Sequence, residues 1–296
     1  MEFKSFDGKT IYVHEWFDVP SPKGFVQIIH GMTEHGARYE EFAKFLNANG
    51  YLVAADDHRG HGKTDPDTLG YTAGNMFADT VHDEGELTKY YREKYQGLKY
   101  FVFGFSYGSF LTQSYISKYG DLIDGAVIAG SNKKKDFEVY LGSFVTGVCN
   151  LFGAAKKPAK MIEKLSFGKY AKKFADKEWL SADAENNARY HADPFCGFVC
   201  SNRFYSDFFK GLRSLYTKDY KQSLRTDLPL LLAAGSEDPV GDMGRGMQLL
   251  YVFYKYRAGM SDVKLTLFSG CRHEFLNERA GQEKRYNDIL EFFETH

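Results

Sequence analysis

The sequence predicts an α/β fold, a mainly parallel sheet with helices on both faces and a helical cap inserted in its second half. Three observations predict it. Over the first 130 residues, apolar runs of strand length alternate with segments of helical period, the order that sets parallel strands beside crossover helices. After Gly130 the rhythm breaks, and no convincing strand returns until Leu228. Two further apolar runs, residues 228–234 and 263–268, then resume the sheet. A chain of 296 residues is long enough for one such core plus an insertion.

In order, residues 11–17 alternate apolar and polar side chains like a strand, and residues 25–29 (FVQII) form a second. Residues 39–49 have amphipathic helical spacing and stop at Gly50. A strand at 51–56 and a long helix at 77–95 follow. Residues 100–114 (YFVFGFSYGSFLTQS) read as a buried strand passing through one sharp turn into a helix, and 125–129 as the next strand. Beyond Ser131 the helical pieces are 137–153, 159–165, 169–174, 182–191 and 206–216. The expected organisation is a core of residues 1–130 and 206–296, with a cap at 131–205.

The turn in 100–114 places Ser106 at the apex of Gly104-Phe105-Ser106-Tyr107-Gly108. A serine there is forced into a strained strand-to-helix turn, so its hydroxyl projects from the sheet edge and the next N–H points into the same space. Glycine is required on both flanks because a side chain would collide where strand and helix nearly touch. The spacing alone often marks a structural turn; the strand-turn-helix setting distinguishes this one. A serine nucleophile needs a base, and the base needs an orienting carboxylate. Asp238 follows the strand at 228–234, in GSEDPV, and His273 follows the strand at 263–268, in SGCRHE. Singly, they read as a turn carboxylate and a loop histidine. At successive strand ends, in the order Ser, Asp, His, they read as a hydrolytic triad. Glu237 and Asp242 are alternative acids. The loop 30–36 (HGMTEHG) follows the strand at 25–29 and offers the Met32 N–H as an oxyanion donor beside that of Tyr107.

HGMTEHGARYEEFAKFL, DDHRGHGKT, GFSYGS, GSEDPV and SGCRHEFLNE together resemble the monoacylglycerol lipase and lysophospholipase branch of the serine-hydrolase α/β superfamily. The resemblance covers the chain apart from its middle third. It implies the α/β-hydrolase fold, with the cap inserted between the strand after the elbow helix and the strand leading to the acid. It also implies a cofactor-free ester hydrolase acting on monoacylglycerols, lysophospholipids or similar small acyl esters through an acyl-enzyme. The triad carries over to Ser106, Asp238 and His273, and the second oxyanion N–H to Met32. Met32 is bulky where some relatives carry small residues, which bears on pocket width and not on the backbone donor. The alternatives are a feruloyl- or cinnamoyl-type arylesterase, or an S33-type aminopeptidase. An amine-binding peptidase wants carboxylates facing its pocket, and this cap is acid-poor. A non-catalytic ligand-binding relative would have no need of the triad and both glycines.

Residues 131–177 hold eleven lysines against four acids (Asp136, Glu138, Glu163 and Asp176), a net +7, while the whole chain carries −1. The same stretch carries Phe137, Tyr140, Leu141, Phe144, Val145 and Val148 at helical spacing. Two readings stand: a lid packing its apolar face on the core with its lysines solvated, or a dock for anionic lipid surfaces or acyl chains. Phe144 and Val145, with the side chain of Tyr107, are expected to line the substrate pocket. Nucleic acid is excluded as a partner, because there is no recognised binding module and no net basic charge. No window approaches eighteen uninterrupted apolar residues, and residues 1–9 have no basic flank before an apolar run, so the expectation is a cytoplasmic protein without a membrane span. Cysteines 149, 196, 200 and 271 are too few and too irregular for a disulfide framework or a zinc site. His30 with His35, and His58 with His61, lie in glycine-rich turns without an ordered carboxylate partner. They read as loop hydrogen-bonding groups, and no metal is expected.

Overall fold

A computed structural model describes residues 1–134 and 137–296; Lys135 and Asp136 of the basic stretch lie outside the described residues. Eight strands form one sheet in the order β1 (Glu2–Lys4), β2 (Thr10–Trp16), β4 (Tyr51–Asp57), β3 (Gly24–Ile29), β5 (Lys99–Phe105), β6 (Gly125–Ala129), β7 (Leu230–Gly235) and β8 (Val263–Phe268). β1 pairs antiparallel with β2, and β2 with β4; every other pairing is parallel. Every residue of β3, β4, β6 and β7 is buried, as parallel strands covered on both faces require.

The period-two alternation of a strand sends neighbouring side chains to opposite faces. Phe25, Leu52, Val102, Ile128 and Leu232 join a cluster with α2 (Met76–Lys94), α3 (Tyr107–Tyr119) and α9 (Arg245–Val252). Val26, Val53, Phe103, Val127 and Leu231 join a second cluster with α1 (Glu40–Ala48) and α10 (Gln282–Thr295). The short strand β1 and the helices α9 and α10 are additions to the sequence reading.

Between β6 and β7 lie α4 (Phe137–Leu151), α5 (Lys160–Ala171), α6 (Ala184–Ala192), α7 (Asn202–Ser214) and the short α8 (Lys218–Gln222). The pieces expected at 159–165 and 169–174 are one continuous helix, α5. The piece expected at 206–216 starts at Asn202, because the Ser201 hydroxyl caps it by accepting the Phe204 N–H at 3.1 Å. The expected edge of the cap at 205/206 therefore falls inside α7, which packs against both α4 and the core helix α2. Among the described residues no helix is long and apolar enough to cross a membrane.

The crossing of β5 and α3 depends on two missing side chains. A Cβ on Gly108 would overlap the carbonyl oxygens of Ile29 and His30, and one on Gly104 would overlap Thr112 Oγ1 and the Gly108 carbonyl. Backbone atoms cannot move aside as a flexible side chain can. Gly108→Ala should therefore destabilise the fold by about 3 kcal/mol or more, lowering Tm by at least about 6 °C. Gly147, in the middle of α4, has nothing within 4 Å of a built Cβ, so Gly147→Ala should raise stability by about 1 kcal/mol. Thermal melts of the two variants beside the parent check both signs.

Candidate active site

The site lies at the C-terminal ends of β5, β7 and β8, parallel strands that bring three distant segments together. β5 ends at Phe105, and the chain reverses through Ser106 at φ 53° and ψ −116° into α3. A non-glycine residue with that backbone is strained and persists only where its surroundings fix it. Here the Ser106 N–H is held by the Ala129 carbonyl at the end of β6, at 2.9 Å. The Ser106 carbonyl accepts the N–H groups of Ser109 and Phe110.

Ser106 Oγ lies 2.8 Å from His273 Nε2, and His273 Nδ1 lies 2.9 Å from Asp238 Oδ1. A carboxylate beside Nδ1 favours the tautomer protonated there, which leaves Nε2 free to accept the serine proton. Asp238 is fully buried, and its Oδ1 also accepts the Val240 N–H at 2.8 Å. Of the alternative acids, Glu237 is exposed and Asp242 is exposed beside Lys173 at 3.8 Å. Asp238 is the carboxylate that meets the imidazole. The rings of Phe105 and Trp179 pack on His273, with centroids 4.8 and 5.4 Å away.

The loop after β3 is braced by ionic groups. Glu34 Oε1 accepts the Gly31 N–H at 2.5 Å and the Tyr39 hydroxyl at 2.8 Å. Its other oxygen meets Arg38, which forks onto Glu274 at 2.7 and 2.9 Å. Burial opposes the charge on Arg38, but Glu274 and Glu34 outweigh it and raise its pKa. Burial likewise opposes the charge on Glu274, and Arg38 outweighs it and lowers the pKa. Among the described residues, the N–H groups of Met32 and Tyr107 donate to no protein acceptor and remain available at the site. Glu34, Arg38 and Glu274 are absent from the sequence reading, although the four-residue spacing of Glu34 and Arg38 carries a signal of their pairing.

Behind this loop, His58 donates through its backbone N–H to His30 Nε2 at 3.0 Å and through Nε2 to the His30 carbonyl at 3.1 Å. Its Nδ1 meets Asp56 at 2.9 Å. Burial opposes protonation of His58, and Asp56 outweighs it and raises the pKa. His35 meets Asp193 at 2.9 Å. The expectation that these histidines lack ordered carboxylate partners is thus corrected for His35 and His58, whereas His30 Nδ1 meets the Gly31 carbonyl at 2.8 Å and His61 Nδ1 the Arg59 carbonyl at 3.0 Å. His30, Asp56 and His58 lie at metal-binding separation, as do His35, Asp193 and Cys196, and His14, His35 and Asp57; in the first group His30 Nε2 and His58 Nε2 are engaged with backbone groups.

Two chambers meet at Ser106. One, of about 420 Å³, is lined by apolar residues of α4, α5 and α7, including Val139, Leu141, Val145, Ile162, Leu165 and Phe208. The other, of about 200 Å³, contains His273, Glu34, Glu274, Glu163, Trp179 and Tyr190. Met32 and Phe167 line both. Val145 stands where expected; Phe144 does not. It is 70% exposed and does not line the chamber, where Leu141 and Gly142 stand on the wall with Val145. The expectation that the Tyr107 side chain lines the pocket is also corrected. Its ring turns into the core against Phe77, Phe204 and Phe208, 1% exposed, so only its backbone faces the site.

The chain is 26% identical over 294 residues to the monoacylglycerol lipase of Mycolicibacterium smegmatis, covering 99% of this chain and 96% of that protein. To the human monoglyceride lipase it is 26% identical over 275 residues, covering 90% and 80%. A thermostable carboxyl esterase from Bacillus coagulans, solved in complex with glycerol, superposes with a TM-score of 0.90 at 27% identity over 100% of this chain and 97% of that one. A soluble variant of the Saccharomyces cerevisiae monoglyceride lipase, solved with a substrate analogue, shares the fold with a TM-score of 0.78 at 21% identity over 100% and 94%. The model of one family, described as serine aminopeptidase, S33, matches residues 20–280. With its mostly parallel sheet and the elbow at Ser106, the chain belongs to that family of α/β-hydrolases.

Proposed function

We propose that this protein is a serine carboxylic-ester hydrolase that cleaves monoacylglycerols and closely related small acyl esters. The observation that carries the reading is the 2.8 Å contact of Ser106 Oγ with His273 Nε2 at the junction of a larger apolar chamber and a smaller one, called here the polar chamber, whose wall sets carboxylates among aromatic rings. An acyl chain suits the first, and a small alcohol suits the second, where His273 can protonate it as it leaves.

His273 takes the proton of Ser106 as Oγ attacks the acyl carbonyl. The Met32 and Tyr107 N–H groups donate to the oxyanion, and Asp238 steadies the imidazolium. The C–O bond to the alcohol breaks, and the proton held on Nε2 passes to the departing oxygen. Water then adds to the acyl-enzyme, again giving its proton to His273, and the acid leaves with Ser106 restored. Neither a metal nor an organic cofactor has a role in this sequence. The four cysteines are free thiols, in keeping with the expected cytoplasmic setting.

The cap of this reading is the insertion expected at 131–205, whose last helix continues into the core. Its outer face supports the lipid-docking reading. Phe144, Leu151 and Phe152 are 70%, 86% and 86% exposed. Exposed apolar side chains on a stretch with eleven lysines against four acids suit the boundary of an anionic bilayer, where each near-surface lysine adds roughly 1 kcal/mol of attraction.

Ser106→Ala should lower ester turnover on the order of 10⁴-fold or more, and Asp238→Asn on the order of 10³- to 10⁴-fold. Glu237→Gln and Asp242→Asn should stay near the parent. Initial rates on nitrophenyl esters from acetate to palmitate, beside monoacylglycerol and ferulate esters, measure this and set the acyl preference. A tenth of the activity surviving in Ser106→Ala would refute the nucleophile.

The triple change Phe144→Ser, Leu151→Ser and Phe152→Ser should weaken sedimentation with phosphatidylserine vesicles by tenfold or more, because each lost side chain forfeits roughly 1.5–3 kcal/mol of burial at full insertion. Hydrolysis of nitrophenyl butyrate should hold within about twofold. Unchanged vesicle binding would make the cap a cover and nothing more.

A further inference from the structure

Nearly every charged side chain on the wall of the polar chamber has a partner of opposite sign. Glu34 and Glu274 share Arg38, His273 faces Asp238, and His191 at the rim meets Glu178 at 3.4 Å. Glu163 is the exception. Its carboxylate, only partly buried, has neither a hydrogen bond nor an ion pair among the described residues, and that partial burial pushes its pKa up. Lys160, one turn earlier, is exposed and offsets that cost only in part.

The position of Glu163 follows from the rotation of α5. Met161, Ile162 and Leu165 face the apolar chamber, and the same helix turns Glu163 into the polar one. Much of the remaining wall is aromatic, formed by Phe167, Trp179, Tyr190, Phe198 and Tyr205. Ring faces attract cations, more so where water is partly excluded. Three carboxylates, Glu34, Glu163 and Glu274, stand against the single guanidinium of Arg38, so the chamber holds excess negative charge. A phosphate-bearing leaving group would be repelled there, whereas a cation would gain from both the carboxylate and the rings.

We propose that the polar chamber is a subsite for a cationic leaving group, a small amino alcohol whose ammonium or quaternary ammonium sits between Glu163 and the aromatic wall. This rests on the ester-hydrolase reading above and deepens it. The bond between the acyl carbon and the amino-alcohol oxygen breaks as Ser106 Oγ bonds to that carbon, and His273 returns its proton to the departing oxygen. Glu163 transfers nothing. It is a specificity residue on the alcohol side of the scissile bond, reached from a cap that the sequence marks as acid-poor.

The test compares butyrylcholine with 3,3-dimethylbutyl butyrate, its neutral counterpart with carbon in place of the ammonium nitrogen. For the parent, kcat/KM should favour the cation by about tenfold, equivalent to about 1.4 kcal/mol. In Glu163→Gln the ratio should fall to about one, and in Glu163→Asp it should be partly retained. A parent ratio near one, or a tenfold ratio that survives Glu163→Gln, would overturn the subsite. A second arm measures calorimetric binding of both esters to Ser106→Ala, which needs no turnover. Tighter binding of the cation by about tenfold supports the subsite even if the parent cleaves neither ester, an outcome that would count against the hydrolase reading alone. Equal Kd values would overturn the subsite whatever the rates.

Discussion

The molecule is organised around one close approach, the crossing of the end of β5 with the start of α3 over the carbonyl oxygens at the end of β3. The chain can turn there only with glycine at 104 and 108 and with Ser106 in a backbone conformation that serine disfavours. That strain costs of order 1–3 kcal/mol, and the sheet supplies the restraint. The Ser106 N–H is tied to β6, and α3 is packed through Leu111 and Tyr115 into the larger core cluster. A less rigid frame would relax the turn, and both the hydroxyl and the following N–H would lose their aim.

Around this turn, buried charges set the loops, and they act by mutual saturation. Arg38 spans Glu34 and Glu274 and so joins the loop after β3 to the segment after His273. Arg59 spans Asp7 and Asp83 and joins the N-terminal hairpin to α2. Breaking one partner of such a group strands a buried charge, which is far costlier than losing a surface pair. These pairs restrain the loops of the site, in keeping with catalysis that relies on preorganised donors. Against this background an unpartnered carboxylate such as Glu163 stands out.

The sheet and the elbow are legible in the sequence because each rests on local chemistry. Apolar runs of strand length, helical spacing between them and glycine at two fixed offsets are all properties of short segments. What escaped depends on how elements rotate against one another. α4 is apolar nearly all round, so its pattern has no polar face to orient it, and Phe144 cannot be told from Leu141 and Val145 until α7 fixes the helix. Tyr107 shows the same limit. Its backbone position follows from the elbow, but its ring goes to α2 and α7, elements far away in sequence. Glu163 counts in the sequence as one of four acids among eleven lysines, and only the packing of α5 reveals that it lines the chamber.

In this reading the two chambers divide the substrate, the larger removing an acyl chain from water and the smaller, with its carboxylates among aromatic rings, holding the alcohol near His273. Their shared boundary is Ser106, and the whole reading stands on that atom being the nucleophile. Intact-mass spectrometry with peptide mapping, after treatment with a long-chain alkyl fluorophosphonate, tests this most directly. The predicted result is a single adduct on Ser106 that a monoacylglycerol ether slows by occupying both chambers. Failure to label, or an adduct on another residue with Ser106 unmodified, would contradict it.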